Sequence, residues 1–180
     1  MKSKRIISVG HIDKNKNFII IPEIASILFK EHAEWVWDIY GSGSQSDCDE
    51  LMNAISAYGL EEKVCIKGFE KDVSQVYKGA SLCVMTSIHE GFPLTLIEAK
   101  ACGLPVISFD IDTGPDEIIR DGVNGYLIEA FDKKAMTIKI LQLMENEQLR
   151  KDFSDNSYLD LANLSPDVIV KEWTDLFNSF

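Results

Sequence analysis

Short apolar runs recur along the chain, separated by stretches whose apolar positions repeat at helical spacing. The runs at 4–9, 35–40, 63–67, 81–86, 106–109 and 126–128 read as strands, rich in Ile, Val and Leu and closed by glycine or polar residues. Helical spacing covers 17–30, the stretch up to about 58, then 73–78 and 93–102, and three segments at 133–145, 148–161 and 166–177 close the chain. Strands that are apolar throughout, each followed by a helix, predict a parallel sheet covered on both faces. The expected fold class is therefore α/β, a Rossmann-like doubly wound parallel sheet with helices on both faces. Ligands of such sheets gather beyond the carboxyl ends of the strands. No repeat, low-complexity segment or linker interrupts the pattern, so residues 4–180 read as one domain with a closing helix at about 166–177. That helix carries Ile169, Trp173, Leu176, Phe177 and Phe180 at offsets of four, seven, eight and eleven, an apolar stripe on one face.

The stretch from His89 to Pro105 holds the most chemistry. Gly91 lets backbone approach a ligand closely, and Pro93 has the φ suited to a first helical position. Gly103 and Pro105 stop the helix. Its first amides, from Leu94 to Leu96, have no intrahelical acceptor, and with the helix dipole they form a site for an anion, most naturally a phosphate. Thr95 and Glu98 share one helical face. A carboxylate one turn inside the helix suits hydroxyls such as those of a ribose, and Glu90 can reach a second polyol. The residues imply a sugar attached to a nucleoside diphosphate.

Glu90 and Glu98, with seven residues between them in Glu-Gly-Phe-Pro-Leu-Thr-Leu-Ile-Glu-Ala, resemble the E-x7-E signature of retaining glycosyltransferases, and more narrowly the GT4-type family of the GT-B fold. The following Ala-x-x-x-Gly-Leu-Pro-Val-Ile strengthens the likeness. Gly10-His11-Ile12-Asp13-Lys14-Asn15-Lys16-Asn17 resembles the family's G-R-L-x-x-x-K-[GN] loop, which holds the donor diphosphate. Lys16 falls on the family lysine. His11 falls where arginine is expected, and histidine has no five-donor fork, so the clamp is expected to be weaker or His11 to charge only beside the donor. Gly41-Ser42-Gly43-Ser44 resembles the glycine loop near the nucleotide, and Gly68, Phe69 and Val73 the segment around the base. As a G-x-G-x-x-G fingerprint the loop fails, with Ser46 in the last place. Gly114-Pro115-Asp116-Glu117-Ile118-Ile119 and Asp121-Gly122-Val123-Asn124-Gly125 match the family's G-P-x-E-I-I and D-G-x-N-G, most of whose glycines serve turns.

The resemblance implies transfer of a sugar from a nucleotide donor to an acceptor hydroxyl with retained configuration and no metal, in polysaccharide or other glycoconjugate synthesis. Glu90, Lys16 and His11 would act at the reacting end. Glu98, Gly91, Phe92, Pro93, Leu94, Thr95, Gly10, Gly41, Gly43, Gly68, Phe69 and Val73 would bind the donor. A UDP-sugar is expected, with GDP- and ADP-sugars as alternatives, and no cofactor. Only the C-terminal, donor-binding half of the family's enzyme is covered. An N-terminal acceptor domain would be the missing partner, the domain alone would be inactive, and the exposed apolar helix could bring two copies together. A non-catalytic sugar-nucleotide-binding module and a sugar-nucleotide epimerase of the same fold remain open.

Composition narrows the partners further. A formal charge of −11 disfavours nucleic acid and anionic membrane, and no apolar run approaches spanning length. Met1-Lys2-Ser3-Lys4-Arg5 carries no signal-peptide pattern, and a cytoplasmic setting is expected, with the full-length enzyme there or peripheral at the inner membrane face. Cys48, Cys65, Cys83 and Cys102 form no C-x-x-C pair and read as reduced packing residues. Asp110-Ile111-Asp112 has the D-x-D form of metal-dependent transferases, but the Gly-Pro-x-Glu-Ile-Ile that follows already fits the metal-free reading, and no metal site is expected. Glu90 and Glu98 also differ from a glycosidase pair, whose members face each other about 5 Å apart across the scissile bond.

Overall fold

The computed structural model describes residues 3–180. Six parallel strands form one sheet: β1 (Arg5–Val9), β2 (Val36–Tyr40), β3 (Val64–Gly68), β4 (Leu82–Met85), β5 (Val106–Asp110) and β6 (Gly125–Glu129), in the spatial order β3-β2-β1-β4-β5-β6. Strand order reverses between β1 and β4. The connections leaving those two neighbours run to opposite sides, which opens a crevice above their carboxyl ends.

Between the strands run α1 (Ile21–Leu28), α2 (Gln45–Ala57), α3 (Val73–Lys78), α4 (Leu94–Ala101) and α5 (Pro115–Ile118), followed after β6 by α6 (Lys133–Glu145), α7 (Glu147–Asp155) and α8 (Pro166–Asn178). Alternate strand residues feed two cores. Ile6, Leu82, Val84, Ile107 and Phe109 pack with residues of α1, α2 and α6 on one face, while Ile7, Cys83, Met85 and Val106 pack with α3 and α4 on the other. The side-chain period of two along each strand requires this division.

Several helix starts follow from local chemistry. Ser44 Oγ accepts the Asp47 amide at 3.1 Å, Asp132 Oδ1 the Ala135 amide at 2.9 Å and Asn146 Oδ1 the Leu149 amide at 2.9 Å, each satisfying an amide the helix cannot. Two predicted helices are shorter than their apolar spacing implied. The segment 17–30 begins with Asn17 at φ 54° and a 3-10 turn, Phe18–Ile20, and α1 starts only where Pro22 fits a first turn. The segment 148–161 ends at Asp155 with Asn156 as its cap, and a run of turns leads to Asp160, at φ 67°, which opens a second 3-10 turn, Leu161–Leu164. All four cysteines are free thiols.

Candidate functional site

The loop after β1 is tied to the end of β4. Asp13 Oδ1 accepts the Lys16 amide at 2.8 Å, closing a local turn. Thr86 Oγ1 donates to the Lys16 carbonyl at 2.7 Å, the Ile88 amide to Asn15 O at 2.8 Å, and Asn15 Nδ2 to His89 O at 2.9 Å. These bonds carry Lys16 across to the glutamate turn, where its ammonium lies 2.5 Å from Glu90 Oε1 with both side chains largely buried. Glu90 is held from the other side as well, its carbonyl accepting from Thr113 Oγ1.

The turn into α4 differs by one register from the expectation. Pro93, at φ −80° and ψ 85°, is the cap and not the first helical residue. Two of the three expected free amides are engaged, Leu94 with Phe92 O and Leu96 with Pro93 O, both at 3.0 Å. The Thr95 amide is the remaining one of the three, and no acidic residue stands in the first turn to compete with an anion. Phe92 and Leu94 are exposed and Pro93 is buried. Gly114, at φ 94°, seats α5 against this turn: a Cβ there would lie 2.5 Å from Pro93 Cδ.

Glu98 is exposed at the residue level, but one of its oxygens is fixed. The hydroxyl of Tyr77, whose ring is buried on α3, donates to Glu98 Oε2 at 3.0 Å. Burial pushes the Tyr77 hydroxyl well above the usual tyrosine range, and the neighbouring Cys83 and Glu98 add to the shift, so the proton stays on oxygen. The Cys83 thiol beneath it is pushed up to about 12, by burial and then by Glu98.

A cavity of about 330 Å³ brings Gly10, His11, Gly41, Phe69 and Val73 together from three strand ends, with Tyr40 as a further member. His11 is exposed there. Gly41 and Gly43 have a packing reason of their own. The first two loops run side by side, with Gly10 N–H to Tyr40 O at 2.9 Å and Ile12 N–H to Ser42 O at 2.8 Å, and a Cβ on Gly41 would stand 1.7 Å from Gly10 O. Gly68 extends the run, its carbonyl accepting the Gly41 amide at 2.9 Å. Lys16, Glu90, Glu98 and the α4 turn lie outside the lining of this cavity. Asp110 and Asp112 are exposed on either side of buried Ile111. Among the described residues no group of three or more His, Cys, Asp and Glu side chains is placed to hold a metal.

Three contributors lay outside the sequence reading. Tyr77 and Glu98 sit on different helices, and no spacing links them. Tyr40 ends β2, and the sequence pattern marks it only as the last residue of a strand. Lys100 is fully buried on α4, donating to the carbonyls of Ile118 and Leu159, the latter at 3.3 Å. Its position four residues after buried Leu96 was the available signal, since that spacing repeats the inward face.

Comparison with known proteins agrees with this architecture. The chain is 37% identical over 177 residues to the amylovoran biosynthesis glycosyltransferase AmsD of Erwinia amylovora, covering 98% of this chain and 49% of that protein. A crystal structure of a TarM variant from S. aureus in complex with fondaparinux, alpha-GlcNAc-glycerol and UDP superposes with a TM-score of 0.92 at 32% identity, over 99% of this chain and 36% of that one. The C-terminal domain of LpcC, a glycosyl transferase group 1 family protein from Francisella tularensis, superposes with a TM-score of 0.78 at 28% identity, over 92% of this chain and 87% of that one. The chain spans half or less of the length of AmsD and of other curated relatives that it matches. The family description Glycosyl transferases group 1 matches residues 1–160, and with the doubly wound sheet and the relatives above, the chain belongs to that family of GT-B-type glycosyltransferases.

Proposed function

We propose that this chain is the C-terminal, donor-binding half of a GT4-type retaining glycosyltransferase. It moves a sugar from a nucleoside diphosphate to an acceptor hydroxyl in polysaccharide or other glycoconjugate synthesis, without a metal. The observation that carries the reading is the meeting of Lys16 and Glu90 at the point where strand order reverses, beside the α4 turn. Lys16, the Thr95 amide and His11 take the diphosphate and stabilise the charge of the leaving nucleotide, an instance of preorganised electrostatics. Glu90 holds the transferring sugar. Glu98 accepts ribose hydroxyls, and the cavity of Tyr40, Phe69 and Val73 receives the base. UDP is favoured as the nucleotide, because the TarM structure above contains UDP. The acceptor-side groups come from an N-terminal domain, without which transfer does not proceed. No helix among the described residues is long and apolar enough to cross a membrane, and we place the enzyme in the cytoplasm, free or at the inner membrane face.

A single lysine and a helix start make a modest clamp, so the expected dissociation constant for UDP is on the order of 0.1–1 mM, about 4–5.5 kcal/mol. Titration calorimetry with UDP, GDP and ADP tests it. Absence of binding at several millimolar of all three would remove the site assignment.

A further inference from the structure

Glu98 stands on the exposed side of α4, and a glutamate there has three rotatable side-chain bonds to immobilise before it can grip a ligand. Tyr77 removes much of that freedom in advance. Its ring is 1% exposed and packs in the core that also holds Leu96 and Ala99, the buried α4 residues two before and one after Glu98. The hydroxyl is therefore a fixed point, and it reaches Glu98 Oε2 at 3.0 Å while Oε1 makes no bond to a described side chain. From this geometry we infer that Tyr77 is a positioning residue for nucleotide recognition, holding Glu98 in the rotamer that presents its second oxygen to the ribose hydroxyls. The inference rests on the assignment of Glu98 to the ribose.

The chemistry suits the task. Burial keeps the phenol protonated, so it remains the donor of the pair. A hydrogen bond donated to one carboxylate oxygen leaves the lone pairs of the other available, and a carboxylate accepts from two partners at once. Tyr77→Phe keeps the ring and its packing and deletes only the hydroxyl.

The test is the affinity of the unaltered chain and of Tyr77→Phe for UDP and for 2′,3′-dideoxyuridine diphosphate, repeated in a Glu98→Ala background. The expected result is a roughly 3–10-fold weaker dissociation constant for UDP in Tyr77→Phe, the range for newly immobilising one flexible side chain on binding. For the dideoxy nucleotide, and for UDP in the Glu98→Ala background, the same substitution is expected to change affinity less than about twofold, because a pair that acts as a unit is non-additive. Equal losses for both nucleotides would mark a general disturbance of the fold and overturn the inference. So would unchanged UDP affinity in Tyr77→Phe, or an undiminished loss in the Glu98→Ala background. Failure of the unaltered chain to bind UDP would instead strike the donor site itself, and the positioning role with it.

Discussion

The Lys16 ammonium and the Glu90 carboxylate, 74 positions apart in sequence, stand 2.5 Å apart. The cation assigned to the diphosphate and the acid assigned to the sugar are thus each other's partner. A diphosphate that approaches Lys16 competes with Glu90 for it and meets the negative charge of Glu90 as well. Glu90→Gln keeps a hydrogen-bond acceptor for Lys16 but removes that charge. Bare UDP is then expected to bind more tightly, by at least the roughly 0.5–1 kcal/mol of an exposed ion pair. The sugar-bearing donor is expected to gain nothing or to weaken, since Glu90 is its contact. Calorimetry with the two ligands checks the pair of signs, and weaker binding of bare UDP would mean that Glu90 serves the nucleotide directly.

The second glutamate carries the opposite expectation. Glu98→Ala deletes a charged acceptor, so UDP affinity is expected to fall by roughly 1.5–3 kcal/mol, the range for hydrogen bonds to a charged group. EDTA is expected to leave both the unaltered chain and this variant as they were. A large EDTA effect would bring Asp110 and Asp112 back as metal ligands.

Lys100 tests how α4 is held. Its ammonium joins α4 to the last carbonyl of α5 and to Leu159, beside the Arg120–Asp160 ion pair at 2.6 Å. Burial holds its pKa below the ordinary lysine value; Asp160 opposes the shift and Arg120 reinforces it. Lys100→Met fills the space but leaves two carbonyls without their donor, for an expected loss of about 1–3 kcal/mol. The sign with pH follows from the lowered pKa. Between the folded pKa and the unfolded value of about 10.4, the unfolded chain binds the extra proton, so the unaltered protein gains stability as pH rises. Methionine does not titrate. The gap in melting temperature between the two proteins is therefore expected to widen from neutral pH towards pH of about 10, within the range where the unfolded lysine still carries its proton. A gap that narrows would mean that the ammonium is stabilised by its surroundings.

The sheet was readable because its strands are apolar throughout, and runs such as Ile6-Ile7 and Leu82-Cys83-Val84-Met85 serve both cores at once. The α4 turn was readable because Gly91, Pro93 and Gly103 are strong local signals. What escaped the sequence depends on tertiary placement. The segment opening at Gly114 read as a loop, since the four residues of α5 are too few to display a helical period. The amides of Leu94 and Leu96 looked free because helical bonding rules do not foresee bonds to Phe92 and Pro93 in the turn itself. Tyr77 and Lys100 each looked like an ordinary residue of its helix, and their importance lies in a hydroxyl or an ammonium that reaches a second element.

The closing helix gives the last expectation. No residue of α8 is buried; its apolar side chains Trp173 and Phe177 are 56% and 68% exposed, and Phe180, just beyond its end, is 99% exposed. Trp173 and Phe177 lie with ring centroids 5.7 Å apart, so their contact is with each other and not with either core. No residue of the stripe joins either core. Each large side chain that becomes fully buried is worth about 1.5–3 kcal/mol, so a stripe of this size favours association with a matching surface. In the isolated chain that surface is expected to be the same stripe on a second copy. Removing residues from Pro166 onward takes away no core side chain. The shortened chain is therefore expected to melt within about 0.5 kcal/mol of the unaltered one, as for surface changes remote from packing, and to bind UDP equally well. Sedimentation velocity is expected to give a concentration-dependent dimer for the full chain and a monomer for the shortened one. A dimer that survives the truncation would locate self-association elsewhere, and a shortened chain that fails to fold would return the stripe to the domain's own core.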